Sequence, residues 1–187
     1  MTGEDGGPDA PELPRDDPHQ ATRGPRVLCG GKHMTSTDIS DQDVAALIER
    51  WSEAAQLYLD GDLPAYAAIA RHAEDYTLLP PHGGDARSGF DGSDDAVEWT
   101  ARTFRGGRTE LVVFKTYTSG DLAVLVASER QVGTVGDLPE QDWSLRITLV
   151  FRREGTDWRL VHRHADPLVR QVKPDLFAAI ARGDHYL

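Results

Sequence analysis

The sequence predicts an α+β domain in which helices come first and an antiparallel sheet follows. Three observations carry that expectation. Between residues 40 and 104, apolar side chains recur at helical spacing. Between 110 and 166, four runs rich in Val, Leu, Thr and Phe read as strands. Short polar turns join those strands, which is what an antiparallel meander requires.

Order is expected to begin at Ser40-Asp-Gln-Asp43, a capping box with Asp in place of the usual Glu. Val44, Leu47, Ile48, Trp51, Ala55 and Tyr58 then share one helical face, and Gly61 ends the helix. Pro64 suits the first turn of a second helix over Ala65 to His72. Glu74 to Leu79 reads as a short strand, Pro80 to Asp85 as a loop, and Arg87-Ser-Gly as a returning partner strand. Ser93 caps a third helix from Asp94 to Phe104, with Val97 and Ala101 inward, and Gly106-Gly107 breaks the chain. The four strands of the meander follow: Glu110 to Thr118, Leu122 to Val132, Trp143 to Arg153 and Trp158 to Asp166. Pro174 to Arg182 forms a last helix, with Gly183 after it.

The remaining chain is bounded by composition. Residues 1 to 36 are crowded with Gly, Pro, Asp and Arg without periodicity, so a disordered N-terminal extension is expected, followed by one domain over 37–170 and a C-terminal helix and tail over 171–187. Met34-Thr-Ser-Thr resembles a natural start, which makes the upstream stretch a misassigned start or a dispensable tail. A formal charge of −11 argues against nucleic acid as a partner, since phosphate binding needs clustered Lys and Arg. The single cysteine, Cys29, excludes an intrachain disulfide and a Cys-based zinc site. No apolar run approaches the roughly 18 residues of a spanning helix and no secretory h-region is visible, so no membrane is expected and cytoplasmic is the default.

The most informative segment is Trp158-Arg-Leu-Val-His-Arg-His-Ala-Asp-Pro167. Strict alternation along a strand puts Trp158, Leu160, His162, His164 and Asp166 on one face, and Arg159, Val161, Arg163 and Ala165 on the other. One face would then run from a hydrophobic core into an ionisable pocket.

Together with the first helix ending in Gly61-Asp62, the loop Leu79-Pro-Pro-His-Gly-Gly84, Gly89, Trp99 and Phe104, this ending resembles the SnoaL-like, ketosteroid-isomerase-like superfamily, also called nuclear transport factor 2-like. The resemblance covers about residues 40 to 170. It implies a cone: a strongly bent antiparallel sheet, here a four-stranded meander plus a short hairpin, wrapped around the N-terminal helices, with a pocket at the open end. The ending Trp-x-x-Val-His-x-His also resembles the association domain of calcium/calmodulin-dependent kinase. Members of the superfamily isomerise, cyclise or dehydrate small molecules, or only bind and oligomerise, commonly as dimers through the outer face of the sheet. The isomerase set of a carboxylate base with Tyr and Asp donors is not clearly reproduced; Tyr58 lies broadly where a family tyrosine donor sits, and Asp75 has no evident pocket-facing context.

If the last hairpin turns about Gly155, Thr148 faces His162 and Arg146 faces His164, with about 5 Å between Cβ atoms. Glu129 comes from the preceding strand, where the kinase association domain carries a pocket arginine. The expected catalytic set is therefore His162, His164 and Glu129, doing acid–base chemistry on a small, largely apolar ligand. Arg146, Thr148 and Asp166 would bind, with Tyr58, Trp51, Trp99 and His82 as further wall candidates. The plainer reading makes the polar group a structural network, Trp51, Trp99 and Trp158 core, and His82 a solvent-exposed turn residue. His162-x-His164-x-Asp166 has the spacing of strand-borne metal ligands, with Glu129 or His82 as a third, but Arg146 beside them would repel a cation, so neither metal nor cofactor is expected. The second overall reading is a non-catalytic module that binds a ligand or forms a homo-oligomer, with Val113, Arg159, Val161 and Arg163 on the candidate interface.

Overall fold

The structure is a computed structural model and describes residues 39–184. The expectations for residues 1–36, Met34 and Cys29 lie outside that range. Helix α1 spans Asp41–Leu59; Ser40 Oγ accepts from the Asp43 amide while the Asp43 carboxylate accepts from the Ser40 amide, so the capping box forms as the sequence reads. Its buried residues are Leu47, Trp51, Ala54 and Leu59. The deepest small residue is thus Ala54, one position before the expected Ala55. Gly61, at φ 81°, ends the helix where an added Cβ would meet the Phe104 carbonyl oxygen at 2.6 Å.

Helix α2 covers Leu63–Ala70, capped by the Asp62 carboxylate on the Ala65 amide. It stops two residues before the expected His72, which opens strand β1, His72–Leu79. Strand β2, Arg87–Ser88, returns antiparallel to β1 as read from Arg87-Ser-Gly. Helix α3 runs over Asp94–Thr103. Here Ala101 is exposed and Thr100 is the buried residue, while Val97 packs against the core as expected.

The meander is built from β3 (Phe104–Ser119), β4 (Leu122–Val135), β6 (Leu145–Glu154) and β7 (Asp157–Pro167), with a two-residue β5 (Gln141–Asp142) beside β4. Gly106-Gly107 does not break the chain as expected. Both glycines lie inside β3 with positive φ, and Gly107 pairs with Gly133 so closely that a Cβ on Gly107 would collide with the Val132 carbonyl. The sheet order is β2-β1-β7-β6-β4-β3, antiparallel throughout except that β1 runs parallel to β7. The sheet is curved and unclosed, and helix and inner sheet face meet in one core: Leu47, Trp51, Leu125, Ile147, Leu149, Phe151 and Leu160 are all buried there. Helix α4, Pro174–Ala181, follows the last strand.

Alternation sorts β6 cleanly, with Leu145, Ile147, Leu149 and Phe151 buried and Arg146, Thr148 and Val150 outward. In β7 alternation fails once. Phe151 pairs with Leu160 but Val150 pairs with His162, so Val161 is an extra residue, a β-bulge. Trp158 and Leu160 face the core before the bulge; Arg163 and Ala165 take that face after it. His162, His164 and Asp166 consequently lie on the outer face.

Candidate functional site

Of the groups expected to do acid–base chemistry, only one enters the interior. Glu129, on β4, is 3% exposed. Its Oε1 accepts a 2.7 Å hydrogen bond from Trp51 Nε1, and its Oε2 accepts one of 2.9 Å from Arg163. The Arg163 guanidinium also lies over the Trp51 ring, 5.9 Å from its centroid. A carboxylate in this setting has both oxygens engaged, and the buried charge has its partner.

Around the pair stands a box of rings. Tyr66 meets Trp51 and Tyr58 edge-on, at centroid separations of 6.2 and 5.2 Å. His72 stacks on Phe90 at 4.1 Å and meets Tyr76 edge-on at 4.4 Å. The Tyr66 hydroxyl and His72 Nε2 are 3.2 Å apart. Burial raises the Tyr58 and Tyr66 phenols and pushes Tyr76 up to about 12, so all three stay protonated at neutral pH. Burial would lower Arg163, but Glu129, helped by Tyr66 and Tyr76, more than offsets it. Burial, then Arg163, lowers His72 from 6.5 to about 4.

That shift makes a pH prediction with a definite sign. Between pH 4 and 6.5 the unfolded chain binds a proton at His72 that the folded chain refuses, so stability falls as pH drops through this window and levels off below it. The loss is about 2–3 kcal/mol. Urea melts of the protein and of His72→Gln, taken from pH 7.5 to 4, check it: the variant's profile should be flatter by about that amount, and parallel profiles would remove His72 as the source.

The expected grouping of His162, His164 and Glu129 is not assembled, because the bulge separates the histidines from the carboxylate. The pairings move as well: Thr148 faces His164, not His162, and Arg146 faces Asp166, not His164. On the outer face, Thr77 Oγ1 lies 2.8 Å from His162 Nδ1, and His164 Nε2 lies 3.3 Å from Asp166 Oδ2. Burial and then His164 lower the His162 pKa, against a smaller raising effect from Thr77. Arg146 sits 3.9 Å from Asp166, both about half exposed. Among the described residues no cluster of three His, Cys, Asp or Glu side chains is placed to hold a metal ion.

The remaining candidates divide. Trp51 and Tyr58 belong to the interior box, and Trp158 is core at 9% exposure. Trp99 does not; it is 48% exposed and meets Phe104 edge-on. His82 is exposed in the loop, 3.4 Å from Arg87. Of the proposed interface residues, Val113 packs on the core and Arg163 is interior, so that set does not form one outer face. Sequence reading missed Arg163, Tyr66, Tyr76, His72 and Phe90. One signal was present: Leu160 and Ala165, both apolar, are an odd number of residues apart, which a regular strand cannot bury together.

A bent, unclosed sheet over a long helix, with its polar centre closed by an ion pair, defines a cone-shaped α+β domain. The chain belongs to the SnoaL-like domain family, whose sequence profile matches residues 44–170. No functionally curated protein matches it. Its fold is similar to that of the S. rosetta CaMKII hub, at 20% identity and TM-score 0.54 over 66% of this chain and 95% of that one. It is also similar to a nuclear transport factor 2-like protein from Salmonella enterica serovar Typhimurium (15%, TM-score 0.55, 71% and 98%). A third similar fold is a protein of unknown function in nutrient uptake from Rhodospirillum rubrum (24%, TM-score 0.51, 68% and 99%). Among the described residues, no helix is long and apolar enough to cross a membrane.

Proposed function

We propose that this chain is a non-catalytic SnoaL-like module that associates with a second copy of itself through the outer face of its sheet. The observation that carries this reading is the position of Arg163. By turning inward to meet Glu129, it makes the interior carboxylate a structural group with both oxygens committed, not a free base. The raised tyrosines beside it are donors held by packing.

The outer face supplies what association needs. Tyr117, Val124, Val150 and His162 form one cross-strand row, and Val126, Thr148 and His164 the next. Tyr117 is 58% exposed, Leu122 43%, and Phe114, at the β3 bulge, 62%. An exposed apolar strip of this kind marks an interaction surface. Charges of both signs border it, Arg152 with Asp75 and Glu154 at one end and Arg146 with Asp166 at the other. A strip bordered by both signs is self-complementary under a two-fold axis. The likeness of fold to a kinase hub agrees with an assembling role.

Sedimentation velocity tests this at neutral pH. The protein should sediment as a dimer, and Val124→Lys with Tyr117→Lys should give a folded monomer. A monomer at high micromolar concentration without any substitution would refute the reading.

A further inference from the structure

Arg71 is, among the described residues, the one non-glycine with a left-handed backbone, φ 52°. It is the C-cap of α2, where glycine is the common solution because it carries no Cβ to strain. Two contacts hold it there: its carbonyl accepts the Leu160 amide at 3.0 Å, and its side chain reaches Asp157 at 3.1 Å. Backbone strain of this kind gathers at functional sites, and the inference runs from the outlier to the site.

Arg71 lines an open cleft of about 620 Å3, within the range of small-molecule sites. The cleft exists because β1 departs from β7. His72 pairs with Leu160 and Thr77 with His162, so β1 spends five residues where β7 spends two. The displaced segment provides Ala73 and Glu74 as one wall; Arg159 and Phe90 also line the cleft. None of these residues belongs to the Glu129–Arg163 pair or to the apolar strip of the outer face.

We propose that this cleft binds a small arylcarboxylate, with the carboxylate between Arg71 and Arg159 and the ring against Phe90. Each guanidinium keeps a free donor for it. Arg71 meets Asp157 through one terminal nitrogen. Arg159 uses Nε towards Glu154 at 3.2 Å and one terminal nitrogen for the His72 carbonyl at 3.3 Å. The second terminal nitrogen of each has no partner among the described residues, so a ligand oxygen need not displace the existing ones. Charge-assisted hydrogen bonds to a carboxylate are the strong kind, and two arginines lining one cleft favour it over a neutral analogue. Glu74 is the one carboxylate in the lining. Phe90 stacks on His72 with a 12° interplanar angle, which fixes the orientation of its ring in the cleft lining.

The test is a titration of the full chain, labelled with 15N, with benzoate and separately with benzyl alcohol. The expected result is saturable shifts of the Ala73, Glu74 and Gly89 amides by benzoate, with benzyl alcohol weaker by at least about tenfold. Arg71→Gly, which suits φ 52° and therefore folds, and Arg159→Gln should each weaken benzoate by a similar factor. No saturable shift up to about 10 mM, shifts centred elsewhere, or equal affinity in Arg71→Gly would each overturn the proposal.

Discussion

Arg163→Met alone is expected to destabilise the domain by about 3–5 kcal/mol, because it leaves the Glu129 carboxylate buried without its cation. Adding Glu129→Gln should recover most of that loss. Gln keeps an acceptor for the Trp51 indole N–H and leaves no net charge to be solvated, so what remains unrecovered is the smaller cost of its own buried NH2. Met fills much of the volume that the arginine stem occupied. Equilibrium unfolding in urea of the two variants and the parent measures the recovery directly. A single variant that loses less than about 1 kcal/mol would mean that water reaches Glu129 in the folded state. It would return the carboxylate to the list of groups able to move a proton.

The second large effect concerns the bulge. Deleting Val150 from β6 should abolish cooperative folding, because every residue on one side of the cut turns to the wrong face. Deleting Val161 from β7 should be tolerated. Removing the extra residue leaves Trp158, Leu160, Arg163 and Ala165 in simple alternation on the same inner face. The cost is confined to lost local twist and to the pairing with β1. Circular dichroism melts of the two deletions give the comparison. Should the Val161 deletion unfold as completely as the Val150 deletion, the bulge would be holding something other than side-chain parity.

These experiments also mark where the sequence could be read and where it could not. Two helix starts were legible because they depend on residues three apart: Ser40 with Asp43 and Ser93 with Ala96 cap as read, while the Asp62 cap that starts α2 at Leu63 went unread. The meander was legible for the same reason, through its short turns and the alternation of β6. What failed were the places where a distant partner decides. The glycines 106 and 107 read as a break, yet they serve the close pass of β3 by Gly133. Nothing local in Trp158 to Asp166 announces that one residue is surplus, because the bulge is defined against β6. A single slip of parity moved both histidines out of the interior and brought Arg163 in. Of the three groups expected to act together, Glu129 alone faces inward, because the surplus residue in β7 turns both histidines to the other face. Trp99 is a simpler case: helical spacing marked it as inward, while α3 buries Thr100 instead.

The parallel pairing of β1 with β7 has a consequence for the order of events during synthesis. Thr77 meets His162 across 85 residues, Trp51 meets Glu129 across 78, and Arg50 reaches the Trp158 carbonyl across 108. Strand β1 leaves the ribosome early, but β7, its parallel neighbour in the finished sheet, is the last strand to arrive. Contacts of such span make folding slow, since the chain must close long loops before the contacts compensate. Strands β3 and β4 reach the apolar face of α1 first, and the sheet over it stays incomplete until β7 arrives. The sheet is thus closed last at its middle, when β7 slots between β1 and β6, with Trp51 having waited for β4 to find its carboxylate.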